Sequence, residues 1–455
     1  MNKVGNQDRN KDRDFTNGNI SAYLVSLAAP LIAGNILQEF YNTIDAFVVG
    51  HFAGKEEFAA IGIAGTAMNL FMFALVGCCN GFSILFAQAC GKKNMAELRK
   101  QHFSSMIAGM GCTLLLMVLG LSCMRPLLIL LQTPNALQEY VASYLFWIFI
   151  SLPAVFFYNL FASLLRASGD TRASLLVLMA SVMINLVLDV ILVAEYQKGI
   201  EGAAIATAVT QFLSAVLCYL YLRKTHREMV LNRQDCKGSY QDILKPLKIG
   251  LITSLHQSSL YLGKLLVQGT VNTGGTDVIA AYTAATRIEG FANSIGSSGS
   301  SSTSILTAQN YGARKEKRVR RTFRCSLCWM AVTGLAAALF MFVFAPQTVS
   351  LMLGNSSGTS YEEGIRYLRL VAGFYVFCYT GNTFTGYYNG IGRVFMPFIG
   401  ATGHILIRVV LSWLLFPMMG LRAVALATGI GWVLANCFWG IAYRHINFTK
   451  HRIDS

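Results

Sequence analysis

The sequence predicts an all-α integral membrane protein: twelve transmembrane helices in two pseudo-symmetric six-helix lobes, a parallel repeat, around a central cleft. Three observations carry this. Of the 455 residues, 54% are hydrophobic and only 13% charged, with a mean hydropathy of +0.49, and a soluble chain of that length needs more polar residues to cover its surface. Apolar stretches about as long as a bilayer core is thick, roughly 20 residues, recur from end to end. The second half of the chain also repeats the first.

Residues 1–21 are polar and of mixed charge, without the apolar core of a signal peptide, and read as a disordered cytoplasmic tail. Six apolar stretches follow at about 22–50, 57–89, 103–124, 139–165, 172–194 and 201–222, and make an N-terminal lobe over 22–223. A basic cytoplasmic linker, 224–245, has no apolar run of spanning length. Six more stretches, about 246–272, 278–309, 323–345, 363–390, 396–417 and 422–443, make a C-terminal lobe over 246–445, and 446–455 is a second cytoplasmic tail. Strands of an outer-membrane barrel would alternate in short segments, which these do not.

The net charge of +15 would suit a nucleic-acid partner, but its placement excludes that reading. With the N-terminus inside, 28 of the 37 basic residues fall on cytoplasmic segments. An even number of spans with both termini cytoplasmic satisfies that bias, and a plasma (inner) membrane location is expected. The 11 cysteines follow no regular spacing; Cys325-x-x-Cys328 has no second pair to complete a zinc site, so all read as apolar packing residues.

The repeat is visible residue by residue. Ala87-Gln88-x-x-Gly91 returns as Ala308-Gln309-x-x-Gly312, an offset of 221 (308 − 87). Ala59-Ala60, Arg99-Lys100 and Ile205-Ala206-Thr207 return at the same offset as Ala280-Ala281, Arg320-Arg321 and Leu426-Ala427-Thr428. Asn159-x-Phe161 and Gly169 return as Asn382-x-Phe384 and Gly392, at 223. Six spans per unit make the halves parallel repeats, whose interface is where a substrate path is built.

A charge at mid-bilayer costs at least about 2.5–3.5 kcal/mol, so intramembrane charges are functional candidates. Asp45 in span 1, Asp189 in span 5 and Thr207 in span 6 fall in one layer, roughly 8 Å beneath the outer boundary at the helical rise. Asn185 lies one turn from Asp189 on the same face. Two nearby carboxylates out of water raise each other's proton affinity; the same oxygens could instead wrap a sodium ion, and intramembrane Asp and Asn can also merely join helices by hydrogen bonds. Asn159 in span 4 belongs to this group only if the helix bends, near Pro153. The second half lacks the acids: Ser412 stands where the first half has Asp189, and Arg408 where it has Asn185. Lys264, Arg287 and Glu289 form a secondary polar cluster between spans 7 and 8, with Glu289 expected to pair with Lys264. His256 is a lone polar residue on span 7.

The chain resembles the multidrug and toxic compound extrusion (MATE) family, in its N-lobe-coupled bacterial and archaeal branch, from about residue 20 to 445. The residues that carry the resemblance are Pro30…Gln38-x-x-Tyr41-Asn42-x-x-Asp45…Gly50, Leu165-Arg166-Ala167-x-Gly169-Asp170-Thr171, Asn185-x-x-x-Asp189 and Gly202-Ala203-Ala204-x-Ala206-Thr207. Span 8 adds Ala280-Ala281-Tyr282-Thr283-Ala284-Ala285-x-Arg287 and Ala308-Gln309-Asn310-x-Gly312-Ala313. The resemblance implies a secondary antiporter that exports small organic, often cationic compounds in exchange for H⁺ or Na⁺ by alternating access. It places the coupling-ion site on Asp45, Asn159, Asn185, Asp189 and Thr207, with sodium, if used, on Asp45, Asp189, Asn185 and Thr207. Pro30 matches a proline that lets span 1 bend. Another branch uses acids in spans 7 and 10; here His256 stands at the first position and span 10 has no acid, which favours coupling in the N-terminal lobe.

No cofactor beyond the coupling ion is expected, and the partners are the bilayer and the exported compound, with the protein a monomer. An enzyme would need a nucleophile or metal set that His256 alone does not supply. The alternative reading is a flippase for a lipid-linked head group, which would favour extra spans and a strongly cationic cleft.

Overall fold

The structure is a computed structural model that describes residues 14–52, 54–130, 133–232, 235 and 239–453, except the side chains at 42–47, 49, 50, 55, 58, 130 and 446–453. The described residues are almost wholly helical. In the first half run α1 (Ile20–Phe52), α2 (Lys55–Gly91), α3 (Met95–Ser122), the short α4 (Met124–Leu130), α5 (Gln138–Ser168), α6 (Thr171–Asp189), continued by a π-helical turn Val190–Glu195, and α7 (Gly199–Thr225). The second half repeats that order as α8 (Tyr240–Asn272), α9 (Thr276–Gly312), α10 (Glu316–Val343), the short α11 (Ala345–Leu353), α12 (Thr359–Ala372), α13 (Tyr375–Gly390), α14 (Phe395–Met419) and α15 (Leu421–Ile453).

Eleven of the expected spans correspond to single continuous helices, span 5 with its π-helical turn. The tenth does not: it breaks into α12 and α13 across Gly373–Phe374, where Phe374 N–H turns back to the Val371 carbonyl at 3.0 Å. Glycine holds a helix poorly, and the apolar run that reads as one span passes straight over it. Nine described helices are long and apolar enough to cross a membrane by composition alone, and α8 and α9 are not among them. α9 shows why. Its run Gly296–Ser304 is polar by composition, yet Ser298, Ser302 and Thr303 are fully buried. Their hydroxyls donate to carbonyls four residues back, Ser298 to Ser294, Ser302 to Ser298 and Thr303 to Gly299, at 2.7–2.8 Å. Small hydroxylated residues that spend their donors inside their own helix allow close helix packing within a bilayer.

Two compact units emerge. Among the described residues, 14–19, Ala29–Ser254 and Ala308–Lys315 form the first; Ile20–Ala28, Leu255–Thr307 and 316–453 form the second. The division crosses α1 between Ala28 and Ala29, next to Pro30, a residue that removes one backbone hydrogen bond from the helix. The core of the first unit is aromatic and aliphatic, with Phe82, Phe86, Phe149, Leu152 and Phe156 of α2 and α5 all sealed. That of the second includes Tyr367, Tyr375 and Tyr379, the last donating its hydroxyl to the Ala292 carbonyl at 2.7 Å.

Asp170 joins the neighbouring ends of α6 and α7. It caps α6 by accepting from Ala173 N–H (3.1 Å) and also accepts from Tyr221 Oη (3.0 Å), with His226 Nε2 at 3.3 Å. Burial pushes the Asp170 carboxyl upward, but the His226, Ala173 and Tyr221 donors outweigh it and hold the group below 3.8. Burial likewise depresses His226, and the Asp170 bond and charge, with Glu228 alongside, raise it above 6.5. A raised histidine stabilises the fold fully below its unfolded value and loses that contribution as pH rises through its folded value. The Asp170 contribution is lost only under acid, as pH falls through its lowered value. Thermal stability is therefore expected to fall as pH rises from 6 to 9, with a shallower slope in His226→Asn, as read by scanning fluorimetry of the purified protein.

Candidate functional site

Two contacts between α6 and α7 fix their register. Ser181 Oγ and Ser214 Oγ are 2.6 Å apart, and about three turns away Val193 and Ala203 share a small apolar cluster with Val48, Ile61 and Leu186. The helices run antiparallel, so residue numbers across the seam sum to about 395. Asp189 therefore stands opposite Thr207, and Asn185 opposite Thr210. Every one of these polar residues is buried: Asn185 and Asp189 are 1% exposed, Thr207 7%, Thr210 5%, Ser181 7% and Ser214 2%. The result is a polar stripe inside an apolar seam, with its acid nearest the α6–α7 connection.

Not all of the stripe is satisfied. Both amide atoms of Asn185 and the Thr210 hydroxyl are buried without a hydrogen-bond partner among the described residues. Such atoms are expensive unless something meets them. An amide oxygen, a hydroxyl and a carboxylate facing one another offer an oxygen-lined place for a proton or a small hard cation. Asp45 lies three residues before Val48 of the shared cluster, one turn along α1 toward the level of Asp189. Its side chain is outside the described residues. At the connection end α7 is fastened by Glu57 of α2, which accepts from Ile200 N–H in the first turn, and by Trp147 Nε1 of α5, which donates to Glu201 Oε1 at 3.1 Å.

Asn159 sits elsewhere. α5 and α7 run side by side, matched at Trp147–Glu201 and at the Phe161–Tyr219 ring contact of 5.5 Å. That register sets Asn159 level with about residue 216 of α7, roughly 13 Å from Thr207 along the axis at 1.5 Å per residue. Its amide donates to the Val155 carbonyl of its own helix at 2.9 Å. Pro153 does not bring it into the layer of Asp189 and Thr207. Thr210, Ser181 and Ser214 were not anticipated, although their signal is present: 181, 185 and 189 step by four, and 207, 210 and 214 by three and four.

In the second unit the polar groups are arranged differently. At the offset of 223, α14 carries His404, Arg408 and Ser412 where α6 carries Ser181, Asn185 and Asp189. Glu289 of α9 stands where α2 has Met68, and Tyr367 where α5 has Tyr144. The Tyr144 hydroxyl donates to the Met68 sulfur at 3.8 Å, and the second half carries a carboxylate, Glu289, and a phenol, Tyr367, at the same two positions. Glu289 is 7% exposed, and the cations acting on it are Arg408 and Lys264. Lys264 thus acts on Glu289 together with Arg408, whose Nη2 donates to Tyr282 Oη at 3.2 Å. Lys264 is an exposed residue of α8. Arg287, two residues from Glu289, is exposed as helical periodicity requires, and His256 is buried in α8.

The MatE family profile matches residues 30–191 and 252–414, the two halves of the repeat separately. This chain belongs to the MATE family of multidrug efflux transporters. The chain is 23% identical to the probable multidrug resistance protein YpnP of Bacillus subtilis (strain 168), over 96% of this chain and 97% of that one. It is 22% identical to the multidrug export protein MepA of Staphylococcus aureus (strain MRSA252), over 90% and 89%. A crystallised MATE protein in complex with MaL6 superposes with a TM-score of 0.90 at 22% identity, covering 97% of this chain and 99% of that chain. MATE structures have twelve transmembrane helices in two lobes, and this chain has that fold.

Proposed function

We propose that this MATE protein is a secondary antiporter that exports small organic, often cationic compounds in exchange for H⁺ or Na⁺ held by Asp45, Asp189, Asn185 and Thr207. The observation that carries the reading is the α6–α7 register, which sets Asp189 and Asn185 against Thr207 and Thr210 in a seam closed to water. A buried carboxylate with polar neighbours gains most from binding a proton or a cation, and loses that gain when either leaves. Ion and exported compound then displace each other by preferring different conformations, which linkage makes reciprocal. Pro30, at the division between the compact units, is the bend that would let α1 respond to the charge on Asp45. The names of YpnP and MepA support a drug-like cargo, and the family supports a monomer in the plasma membrane with both termini cytoplasmic.

The test is ethidium transport by proteoliposomes under an imposed pH gradient and, separately, a sodium gradient. Wild type is expected to move ethidium under one of them, which names the ion, and Asp45→Asn to move none. Full transport by Asp45→Asn would put the coupling elsewhere, with Glu289 the next residue to replace.

A further inference from the structure

The duplicated Ala-Gln-x-x-Gly motif plays no part in the ion site, yet its two copies meet. Gly91 ends α2 and Gly312 ends α9, and both lie in the first compact unit. A Cβ added at Gly91 would stand 1.9 Å from the Gln309 carbonyl oxygen, and one at Gly312 would stand 2.1 Å from the Gln88 carbonyl oxygen. The crossing is symmetric under exchange of the two halves of the sequence. The helix ends touch backbone to backbone, where contacts from a third segment can hold them together.

Residues 14–19 do so. Phe15 is fully buried against the α5–α6 turn, where a Cβ on Gly169 (φ +90°) would fall 2.0 Å from its ring. Asn310 Nδ2 of α9 donates to the Phe15 carbonyl at 3.4 Å. Lys315 Nζ donates to the Thr16 carbonyl (2.9 Å), Thr16 Oγ1 (3.1 Å) and Asn17 Oδ1 (2.9 Å). Lys93, just past α2, pairs with Asp14 Oδ2 at 3.1 Å. Asp14, Phe15, Thr16 and Asn17 thus touch the end of α2, the end of α9 and the α5–α6 turn, which Gln309 Nε2 also reaches through the Ala167 carbonyl at 2.7 Å. Lys93 (φ 54°) and Arg314 (φ 56°) are the left-handed residues of equivalent turns, 221 residues apart, and Lys315 follows the second of them.

Asp14 also folds its own segment, accepting from Thr16 N–H (3.0 Å), Thr16 Oγ1 (2.6 Å) and Asn17 Nδ2 (2.8 Å). The Thr16 hydroxyl, helped by Lys93, holds its carboxyl well below the usual carboxylate range, so the segment stays charged at any physiological pH. A tail lying idly on a surface does not seal a phenylalanine or give one lysine three acceptors.

We propose that residues 14–19 are a strap that holds the Gly91–Gly312 crossing shut and must lift before this end of the protein opens in the transport cycle. The proposal rests on the alternating-access reading above, but on neither the ion nor the compound carried.

Cys90, next to Gly91 and partly buried, is a built-in reporter. In full-length purified protein with the other cysteines replaced, Phe15→Ala and Lys315→Met are each expected to raise the maleimide labelling rate of Cys90 at least tenfold. Amide exchange should quicken at 88–94 and 309–315 and stay slow in the sealed stretch of α5 around Phe149–Phe156. Should Phe15→Ala lose that α5 protection, Lys315→Met, at a half-buried position, decides alone. Wild-type labelling and exchange in Lys315→Met would overturn the strap. Labelling in detergent needs no ion and no substrate, so a failure of the antiport scheme leaves this result standing.

Discussion

Asp189→Asn is expected to abolish the dependence of drug binding on the coupling ion while leaving the protein folded. Coupling between two sites is typically worth 1–3 kcal/mol, so wild-type affinity for a cationic dye should change roughly 5- to 150-fold between ion-free and ion-saturated conditions. Asparagine has the shape of the protonated acid and none of its charge, so the variant should be fixed near the weak-binding limit of the wild type and shift less than about twofold. Stability should hold, because asparagine fits the space of a carboxyl group that is 1% exposed. Dye binding by the purified protein, titrated against pH and separately against sodium, reads both limits. A variant that kept the full wild-type shift would show that Asp189 takes no part in coupling, and Glu289→Gln would then be the substitution to measure. Loss of affinity without loss of the shift would instead make Asp189 a contact for the dye.

The spans were legible because lipid imposes length and apolarity on every crossing helix, and those are properties of sequence alone. The break at Gly373–Phe374 was not, since a single glycine in an apolar run leaves hydropathy unchanged while altering backbone pairing. Asp189, Asn185 and Thr207 could be read from depth and helical spacing. Their opposition across the seam needed Ser181–Ser214 and Val193–Ala203, contacts between residues of no distinction in the sequence. Asn159 misleads for the converse reason: its repeat partner Asn382 marks it, but depth along α5 depends on a register that only Trp147–Glu201 and Phe161–Tyr219 reveal. Glu289 shows a third limit. Lys264 is the cation nearest in the reading of adjacent spans, whereas a second one, Arg408, arrives from α14, more than a hundred residues along the chain. Sequence spacing sorts residues within one helix and says little about which helix faces it.

The Gly91–Gly312 crossing gives the sharpest test of what the repeat is for. Gly91→Ala and Gly312→Ala each place a methyl group about 2 Å from a backbone oxygen, 1.9 Å at Gln309 and 2.1 Å at Gln88. A backbone carbonyl cannot swing aside as a side chain does, so the helix ends must part by more than an ångström. Overpacking of this kind typically costs about 1–3 kcal/mol, and it should appear as a lower melting temperature and a faster Cys90 reaction in either single variant. The double variant separates two explanations. If the glycines face each other across one contact, the first methyl group has already spread the helices and the second meets open space, so the combined loss falls short of the sum by about 0.5–3 kcal/mol. If each glycine mattered only to its own helix end, the losses would add to within about 0.5 kcal/mol. Gly111→Ala is the matched control: nothing lies within 4 Å of its added Cβ, so the change should be neutral or, through helix propensity, stabilising by up to about 1 kcal/mol. An additive cycle would mean that the two copies of the motif were kept for separate reasons. A strongly non-additive one would mean that duplication built a single joint from two copies of one helix end, each glycine needing the other.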